Sequence, residues 1–590
     1  MMVCNKGPAR LALSIYYDGD CPFCARYVGL VRLREAAGPV RLVDLRRDGA
    51  SLQRFEDLGL APDDGMVVET GDRLYHGADA MNVLSLMSTD NGLLNRASAA
   101  LFRHKTLARI LYPLLRAGRN ATLFLLGREP FARPAAGEAE LFLLVSRLFG
   151  LLTLLDVFIH VLRYKPLQPE WTSLPLAVFG LVLMLWPGLR QLFVATILLS
   201  AVDVWLHAPM FSNHAIMKTF LLLAMLAAGL WHWLAGHSFA RWFADVRPVG
   251  RALLLVMYGF GIFHKINTDF LNPAVSCAVV LWQKMPAPLA ALDGPALHTL
   301  AIYGTFATEG LVALMLLVPR MRPVAIAIGI GFHALLALSN HAMYVTFSTL
   351  AIVLHLLFLS PAAALAITRS KGWQKLDMAL RRPPVVVMLL LVLATLALAA
   401  LLRDYSLTGL IWLALLAAPL FIILRHGRAP EVAPVPVLWS RLLPLNLVSL
   451  AFFLNCLSPY LGLKTAQSLN MFSNLRIEAG HSNHLLMTGP PGPFANLDDL
   501  VVIEAAQGAP YLEHLAETRN EGLVYPHFLA ILAAQPAAQV RYTLNGAAKD
   551  LRSGAEILAE DGDRLPPPWL RKYLHHRPVP LQRPVPCGDL

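Results

Sequence analysis

The sequence predicts a polytopic α-helical membrane protein with a small additional domain at each end. Of its 590 residues, 56% are hydrophobic and only 15% are charged, whereas soluble domains carry roughly 25% charged residues. Apolar runs long enough to cross a bilayer recur through the middle of the chain. An α/β pattern precedes these runs and a β-rich pattern follows them. We therefore expect about 9–11 membrane spans between an N-terminal α/β domain and a C-terminal β-rich domain.

Charge and cysteine usage narrow the class further. The formal net charge is +11, but the Lys and Arg residues lie mainly in short loops between apolar runs, which is typical of membrane topology rather than of a nucleic-acid partner. Six cysteines in so long a chain do not indicate a disulfide framework. The first residues lack the apolar core of a signal peptide, so we expect a cytoplasmic N-terminus.

The first domain, predicted over residues 10–94, alternates short strands and helices. Helices are expected in CARYVGLVRLREA and around SLQRFEDLG, and Gly71-Asp72 marks a hairpin between the last two strands. The predicted strands are LALSIYY (11–17), VRLVDL (40–45), MVVET (66–70) and RLYHG (73–77). The resulting order β-α-β-α-β-β-α is that of a thioredoxin-like fold.

A Cys-x-x-Cys pair lies where the first strand turns into a helix. The free amides and partial positive charge of a helix N-terminus stabilise a thiolate, so we expect a lowered pKa at Cys21. Cys24, one turn later, is placed to resolve a mixed disulfide. The alternative is half of a zinc site, which requires a second Cys or His pair nearby, and none is evident. We predict redox chemistry here and no metal.

The segments YYDGDCPFC and RAGRNATLFLLGRE (116–129) resemble the DCC family of thiol-disulfide oxidoreductases. The resemblance covers residues 11–130 and implies dithiol chemistry at Cys21 and Cys24. The pattern departs from ordinary thioredoxins, which keep a proline directly before the strand equivalent to MVVET. Residues 95–140 are rich in arginine, and we predict a basic connector on the cytoplasmic membrane surface.

The membrane domain is predicted over residues 141–462. The Lys and Arg residues concentrate in alternate loops, which places the N-terminus inside, the C-terminus outside and the chain in a bacterial-type inner (cytoplasmic) membrane as a multi-pass protein. The apolar segments lie near 141–162, 172–187, 191–207, 215–235, 249–264, 299–318, 323–339, 343–360, 385–402, 407–425 and 437–457.

This topology gathers polar side chains near the outer side of the membrane. Ionisable groups at a hydrocarbon boundary are costly and indicate a functional site by default, although a lysine can also snorkel and a histidine can simply pack. A desolvated lysine can act as a base. The candidates are Asn213, His214, His264, Lys265, Asn267, Asp269, His333, Asn340 and His341.

Four segments of this region resemble the HTTM module that is shared with vitamin K-dependent γ-glutamyl carboxylase: FHKINTDFLNPAVSCA, MFSNHAIM, FATEGLVALMLLVPRMRP and GFHALLALSNHAMYVTFSTLAI. The resemblance runs from about residue 141 to about residue 485. It implies a lipophilic quinone or hydroquinone (vitamin K-like) ligand, with Lys265 in the place of the quinol base and His214 and His333 beside it. Two positions depart from the family pattern, because His264 replaces a lysine and Asn267 an acidic residue.

The last part, residues 463–590, is predicted as an outer β-rich domain with an extended proline-rich tail. Its polar start resembles the beginning of the carboxylase luminal domain, and Glu478 and His481 are candidates for an acid/base or orienting pair. A metal at His481 and His484 requires a third ligand that is not evident. Cys587 is a lone tail cysteine, which is usually incidental.

Three functions are compatible with these features. The first is an integral membrane oxidoreductase that couples the dithiol to a quinone-type ligand near Lys265, although we expect the two sites on opposite sides of about 30 Å of hydrocarbon. The second is a carboxylase-like enzyme that modifies an outer peptide. The third is a non-enzymatic lipid transport or protein maturation factor. The expected partners are membrane lipid, the quinone-type molecule, and a secreted peptide or a thiol-redox protein, with no nucleic acid.

Overall fold

The computed structural model divides the chain into two compact units. One unit contains Met1–Ala135 and Met225–Asp245, and the other contains Ala136–Ala224 and Val246–Leu590. The residues that the structure describes are 13–24, 40–58, 60, 62, 65–71, 73–87, 102–126, 128, 131, 137–164, 171–208, 212–235, 239–341, 343–429, 438–489 and 492–588.

The first unit contains a four-stranded sheet. The strands are β1 (Leu13–Tyr17), β2 (Val40–Asp44), β3 (Val67–Thr70) and β4 (Arg73–His76), with helices Gly49–Asp57 and Ala78–Met87 between and after them. The strand order is β2-β1-β3-β4, with β1 parallel to β2 and the other pairs antiparallel. Gly71 has φ 58°, as the tight turn between β3 and β4 requires. The predicted order of strands and helices is confirmed, although the first helix beyond residue 24 lies outside the described residues.

The predicted basic connector is part of this unit rather than a separate segment. Residues 105–125 form one helix, Lys105–Leu125. Phe102 and Ala108 are buried in the same apolar cluster as Leu13 and Val68 of the sheet. This helix therefore contributes to the core of the sheet. The boundary predicted at residue 94 and residues 95–101 of the predicted connector lie outside the described residues.

Each of the eleven predicted apolar segments overlaps a helix. Four shorter helices connect them: Cys277–Gln283, Ala287–Ala290, Pro361–Arg369 and Lys371–Leu380. The apolar helices are Glu138–Tyr164, Ser173–Leu185, Arg190–His207, Asn213–Ala235, Phe239–Lys265, Pro295–Leu317, Arg322–Ala337, Tyr344–Leu356, Pro383–Leu401, Tyr405–His426 and Leu443–Leu457.

Fewer of these helices are long enough to span a bilayer than we predicted. Within the described part of the chain, seven are long and apolar enough, or up to nine if each of two bent pairs counts as one span. Ser173–Leu185 has 13 residues and Leu443–Leu457 has 15, whereas a span needs about 20. The several long apolar helices are consistent with a membrane protein at the lower end of the predicted range.

The C-terminal residues form a mixed α/β domain. Its five-stranded sheet has the order β8-β7-β5-β6-β9. The strands are β5 (Leu500–Gln507), β6 (Glu521–Val524), β7 (Gln539–Leu544), β8 (Ala547–Ser553) and β9 (Val579–Pro580). The sheet was predicted, but side chains of helices Pro510–Thr518, Tyr525–Ala534 and Gly554–Asp561 also fill its core.

The tail is held in place rather than merely extended. Strand β9 pairs with β6, and Cys587 forms a disulfide with Cys277, which lies 310 positions earlier in the chain. The prediction that Cys587 is incidental is therefore wrong. The sequence offered no signal for this pair, because disulfide connectivity depends on the fold and not on cysteine spacing.

Candidate functional site

The dithiol lies directly after β1, where the chain turns into a helix. The amide of Cys21 donates a hydrogen bond to the Asp18 carbonyl at 3.2 Å, and a helical turn begins at Pro22. The amide of Cys24 donates to Cys21 Sγ at 3.1 Å. Both cysteines are free thiols. This geometry presents one amide of the first helical turn to the Cys21 sulfur, as expected for a stabilised thiolate.

The two thiols have different acidities. The largest influence on the pKa of Cys21 is a hydrogen bond from the Cys24 side chain, which lowers it. Burial raises the pKa, whereas the Cys24 amide and the Arg119 charge lower it further, and the resulting pKa is about 6. The same side-chain hydrogen bond, together with burial, raises the pKa of Cys24. At neutral pH Cys21 is therefore the thiolate and Cys24 the protonated partner, which are the roles of an attacking and a resolving cysteine.

A buried ion network holds the turn that precedes the dithiol. Arg119 Nη2 donates to Asp18 Oδ2 at 2.6 Å, and Arg46 Nε donates to Asp18 Oδ1 at 2.8 Å. Burial acts to raise the pKa of Asp18, but the Arg46 hydrogen bond and the two guanidinium charges outweigh it and lower the pKa. We predicted Arg119 only as part of the basic membrane-surface connector, although it lies in the RAGRNATLF segment that carries the DCC resemblance.

The more acidic of the two thiols is the less accessible one. Cys21 is fully buried, whereas Cys24 is partly exposed. Phe23, between them, has 60% of its surface exposed. A disulfide substrate can therefore reach the Cys21 sulfur only after neighbouring atoms have moved aside, and the exposed Phe23 ring offers an apolar contact next to that opening.

The second unit contains an apolar pocket of about 370 Å³. Its polar lining includes Asn213, His214, Lys265 and His333, so the structure brings together four of the predicted site residues. Small-molecule sites of this kind combine an apolar wall with a few polar groups. The apolar wall includes Met257, Phe270, Leu281, Trp282, Met285, Phe332, Leu336, Tyr344, Phe347 and Phe472.

Lys265 is paired with a carboxylate on the pocket wall. Its Nζ donates to Glu309 Oε1 at 2.7 Å and to Oε2 at 2.8 Å. Gly261, one turn earlier, leaves room for this carboxylate, because a Cβ there would lie 3.1 Å from Glu309 Oε2. We predicted that loss of solvation makes this lysine usable as a base. The structure adds a partner that was not predicted, the Glu309 carboxylate, which compensates the ammonium charge.

A chain of three buried polar rings begins at the pocket wall, where Tyr258 and His333 line the cavity, and continues to His355. Tyr258 Oη lies 3.0 Å from His333 Nε2 and 3.2 Å from His355 Nε2. His355 Nδ1 lies 2.7 Å from the Ala351 carbonyl. Because a carbonyl only accepts, His355 carries its proton on Nδ1 and accepts the Tyr258 hydroxyl at Nε2. Sequence reasoning missed Tyr258 and His355, which lie inside otherwise apolar helical patterns.

His214 is hydrogen-bonded through both ring nitrogens. Ser212 Oγ lies 2.8 Å from its Nδ1, and Thr346 Oγ1 lies 2.9 Å from its Nε2. The neighbouring Asn213 accepts the Leu469 amide through Oδ1 at 2.7 Å. His214 is thus fixed at the pocket wall, and Asn213 joins the wall to the segment after the last apolar helix.

Three of the predicted ligand-binding residues stabilise the chain next to the pocket instead of lining it. His264 is buried and bonds Tyr460 Oη at 2.8 Å, because successive helix residues point in different directions. Asn267 donates to the Ser473 carbonyl at 2.6 Å. Asp269 Oδ2 accepts the amide of Val585 at 3.1 Å. These contacts fasten the segment after Lys265 to the C-terminal part of the chain.

The remaining predicted residues also lie outside the pocket lining. Asn340 accepts the Tyr405 amide at 3.0 Å, and the buried His341 packs edge-on against Phe472, with ring centroids 4.8 Å apart. Glu478 is fully buried and accepts from Arg577 Nε at 3.0 Å. His481 is exposed.

The proposed pairing of Glu478 with His481 is therefore replaced by an ion pair between Glu478 and the C-terminal tail. Among the residues that the structure describes, no group of three or more His, Cys, Asp or Glu side chains is arranged to hold a metal ion.

Comparison with known proteins identifies the first part of the chain. Residues 15–124 match the family model of DCC1-like thiol-disulfide oxidoreductases. The match covers the dithiol and the helix that carries Arg119, and it indicates thiol-disulfide redox function for this domain. No curated protein and no solved structure matches the chain.

Proposed function

We propose that this chain is a membrane thiol-disulfide oxidoreductase whose dithiol exchanges electrons with a lipophilic quinone-type ligand held in the apolar pocket. The observation that carries the proposal is the Cys21–Cys24 pair, in which Cys21 has a pKa of about 6 and Cys24 remains protonated. A thiolate with an adjacent thiol is the arrangement that forms and resolves disulfides.

The pocket supports the ligand class through its chemistry. A wall of aromatic and aliphatic side chains suits a flat apolar ring system. His214 and the Lys265–Glu309 pair supply hydrogen-bond donors and acceptors for ring oxygens. In the reaction, the Cys21 thiolate and the Cys24 thiol lose two electrons and one proton and form a disulfide, and the quinone gains two electrons and two protons, one of them from water, and becomes a quinol.

The disulfide supports the proposed orientation in the membrane. Structural disulfides persist in oxidising compartments, so Cys277–Cys587 favours an outer location for the C-terminal domain. The dithiol domain is proposed to face the cytoplasm. A quinol is a mobile carrier, and it can transport the electrons between the two sites.

A single-turnover reaction tests this function. The reduced, purified protein is mixed without oxygen with menadione, and the Cys21–Cys24 disulfide is quantified by mass spectrometry alongside the menadiol formed. We expect one disulfide for each menadiol. Cys21→Ser should abolish both products, whereas Cys456→Ala, which removes a buried free thiol elsewhere, should form both. Menadiol formation by Cys21→Ser at the wild-type rate would exclude the proposal.

A second function is favoured by the acid–base groups on the pocket wall. Lys265, Glu309 and His214 suit an enzyme that deprotonates a bound ligand in order to modify an outer peptide. In that case the dithiol domain is regulatory. Product formation should then require Lys265 and survive Cys24→Ser, whereas the oxidoreductase requires both cysteines.

A further inference from the structure

A second cavity, of about 90 Å³, lies beside the apolar pocket and has a different character. Its lining is rich in ionisable and hydroxyl side chains from five of the apolar helices and their connections. His214 and Met343 line both cavities, so the His214 imidazole borders an apolar pocket and a polar one. The polar lining comprises Thr153, Asp156, Ser173, Ser200, Asp203, His207, Ser212, His214, Lys218 and Thr346.

Two carboxylates in this cavity have defined partners. Lys218 Nζ donates to Asp156 Oδ2 at 2.5 Å, and the Thr172 hydroxyl donates to Asp203 Oδ1 at 2.6 Å. His207 Nδ1 lies 3.6 Å from Asp203 Oδ1. An ion pair alone can simply brace two helices. The space beside these groups is large enough for several waters, and polar groups line it, so the cavity is suited to hydration.

The hydrogen bonds of His214 are satisfied in either tautomer. With the proton on Nε2, the ring donates to Thr346, whose hydroxyl donates to the Met343 carbonyl at 3.0 Å, and Ser212 donates to Nδ1. With the proton on Nδ1, the ring donates to Ser212, and Thr346 donates to Nε2. The Met343 carbonyl still accepts the Phe347 amide at 3.0 Å. A proton can therefore enter at one nitrogen and leave from the other without a buried polar atom losing its partner.

We propose that the polar cavity is a proton path that serves the ligand in the apolar pocket, with His214 as the transfer group and the Asp156–Lys218 pair and Asp203 as the charged groups that supply it. This inference rests on the proposed function, in which a quinone-type ligand changes its protonation state. Intramembrane ionisable residues that line a cavity are characteristic of such proton relays.

During quinone reduction, His214 gives a proton to a ligand oxygen and receives another from a hydroxyl group. Ser212 Oγ lies 2.8 Å from Nδ1 of His214, and the Thr346 hydroxyl on Nε2 also donates to the Met343 carbonyl, so Nε2 can exchange Thr346 for a ligand oxygen while Ser212 stays on Nδ1. As Nε2 gives its proton to the oxygen, Nδ1 takes a proton from the Ser212 hydroxyl. Cavity water, oriented by the Asp156–Lys218 pair and the Asp203 carboxylate, restores the hydroxyl proton. The electrons come from the dithiol, and quinol oxidation reverses each step.

The test compares a variant that lacks the charged pair of the polar cavity with a variant that lacks an unrelated, exposed carboxylate. The double variant Asp156→Asn/Lys218→Met removes the ion pair without leaving a lone charge, and Asp293→Asn, at an exposed position, is the matched control. Menadione binding is followed through quenching of Trp282, which lines the apolar pocket, with Trp282→Phe defining the signal. Anaerobic single turnover gives the rate of menadiol formation.

We expect the double variant to bind menadione with unchanged affinity and to form menadiol at least about tenfold more slowly, as for the loss of general acid–base catalysis. Small weak acids such as formate should partly restore the rate, which a merely structural role does not predict. A wild-type rate in the double variant overturns the inference while the proposed function stands.

If wild-type protein forms no menadiol, the proposed function is excluded. An infrared measurement then tests the proton path independently of that reaction. The Asp156 carboxylate band, assigned by its loss in the variant, should shift within seconds of transfer to D2O if the cavity is hydrated. A band that does not shift overturns the proton path.

Discussion

Removing the Cys24 thiol should raise the pKa of Cys21 and make the dithiol less reactive at neutral pH. The pKa of Cys21 is lowered from 9.0 to about 6, and the largest contribution is the hydrogen bond from the Cys24 side chain. A hydrogen bond to a charged group contributes about 1.5–3 kcal/mol, and 1.36 kcal/mol corresponds to a tenfold change in ionisation. In Cys24→Ala the pKa of Cys21 should therefore rise to roughly 7–8.

The expected consequence is a change in the thiolate population. At pH 7 a pKa of about 6 leaves roughly 90% of Cys21 ionised. The variant should have between roughly half and a tenth of Cys21 ionised at the same pH. Because the pKa is lowered in the folded protein, the thiolate is present above the folded pKa and is lost as pH falls through it. The Cys24 amide remains in the variant, so part of the lowering should persist.

The assay is the pH dependence of alkylation. Iodoacetamide reacts with the thiolate, and mass spectrometry of the peptide that contains Cys21 gives the rate at each pH. Half of the maximal rate should be reached near pH 6 in wild-type protein and at higher pH in Cys24→Ala. Cys456→Ala is the control and should leave the midpoint unchanged. A wild-type midpoint near that of an ordinary thiol, about 8.5, or an unchanged midpoint in Cys24→Ala, would refute the reasoning.

Three further changes test the second unit. Glu309→Gln should lower the melting temperature, because it leaves the Lys265 ammonium without its carboxylate at a cost of about 3 kcal/mol or more; adding Lys265→Met should restore most of the loss, and no recovery would contradict a paired charge. Gly329→Ala should destabilise the protein by about 1–3 kcal/mol, because its Cβ would overlap Nε2 of the buried His355, whereas a Cβ at Gly331 meets nothing within 4 Å and Gly331→Ala should leave the melting temperature unchanged. Cys587→Ser should make the C-terminal domain more sensitive to trypsin, with a loss of about 2–4 kcal/mol, and equal digestion rates would argue against the disulfide.

The candidate residues that local sequence patterns identify share one property. Cys21 and Cys24 lie three positions apart at one helical turn, and Lys265 lies at the end of an apolar run, so each is recognised from its immediate neighbours. The partners of these residues were not identified. Arg119 and Asp18 are 101 positions apart, and Lys265 and Glu309 are 44 positions apart. No periodicity in either segment indicates such a pairing.

Proximity in the sequence also grouped residues whose side chains have other partners in the structure. His264 and Asn267 were grouped with Lys265 because they adjoin it, but the helix ends at Lys265, and their side chains bond the chain around Tyr460 and Ser473 instead. Glu478 was paired with His481 for the same reason. Its actual partner comes from the tail, almost a hundred positions later. Side-chain direction, which depends on the local backbone and on packing, decided these cases.

The sequence by itself determined the composition class, the order of elements in the first domain, the positions of the apolar helices and the dithiol, because these depend on short-range patterns of hydrophobicity and turn residues. The tertiary structure alone decided that Lys265 has a counter-ion, that Arg119 supports the dithiol turn and that Cys277 meets Cys587. It also placed His214 between an apolar and a polar cavity. These features depend on which helix faces meet, and packing over long sequence separations fixes that choice.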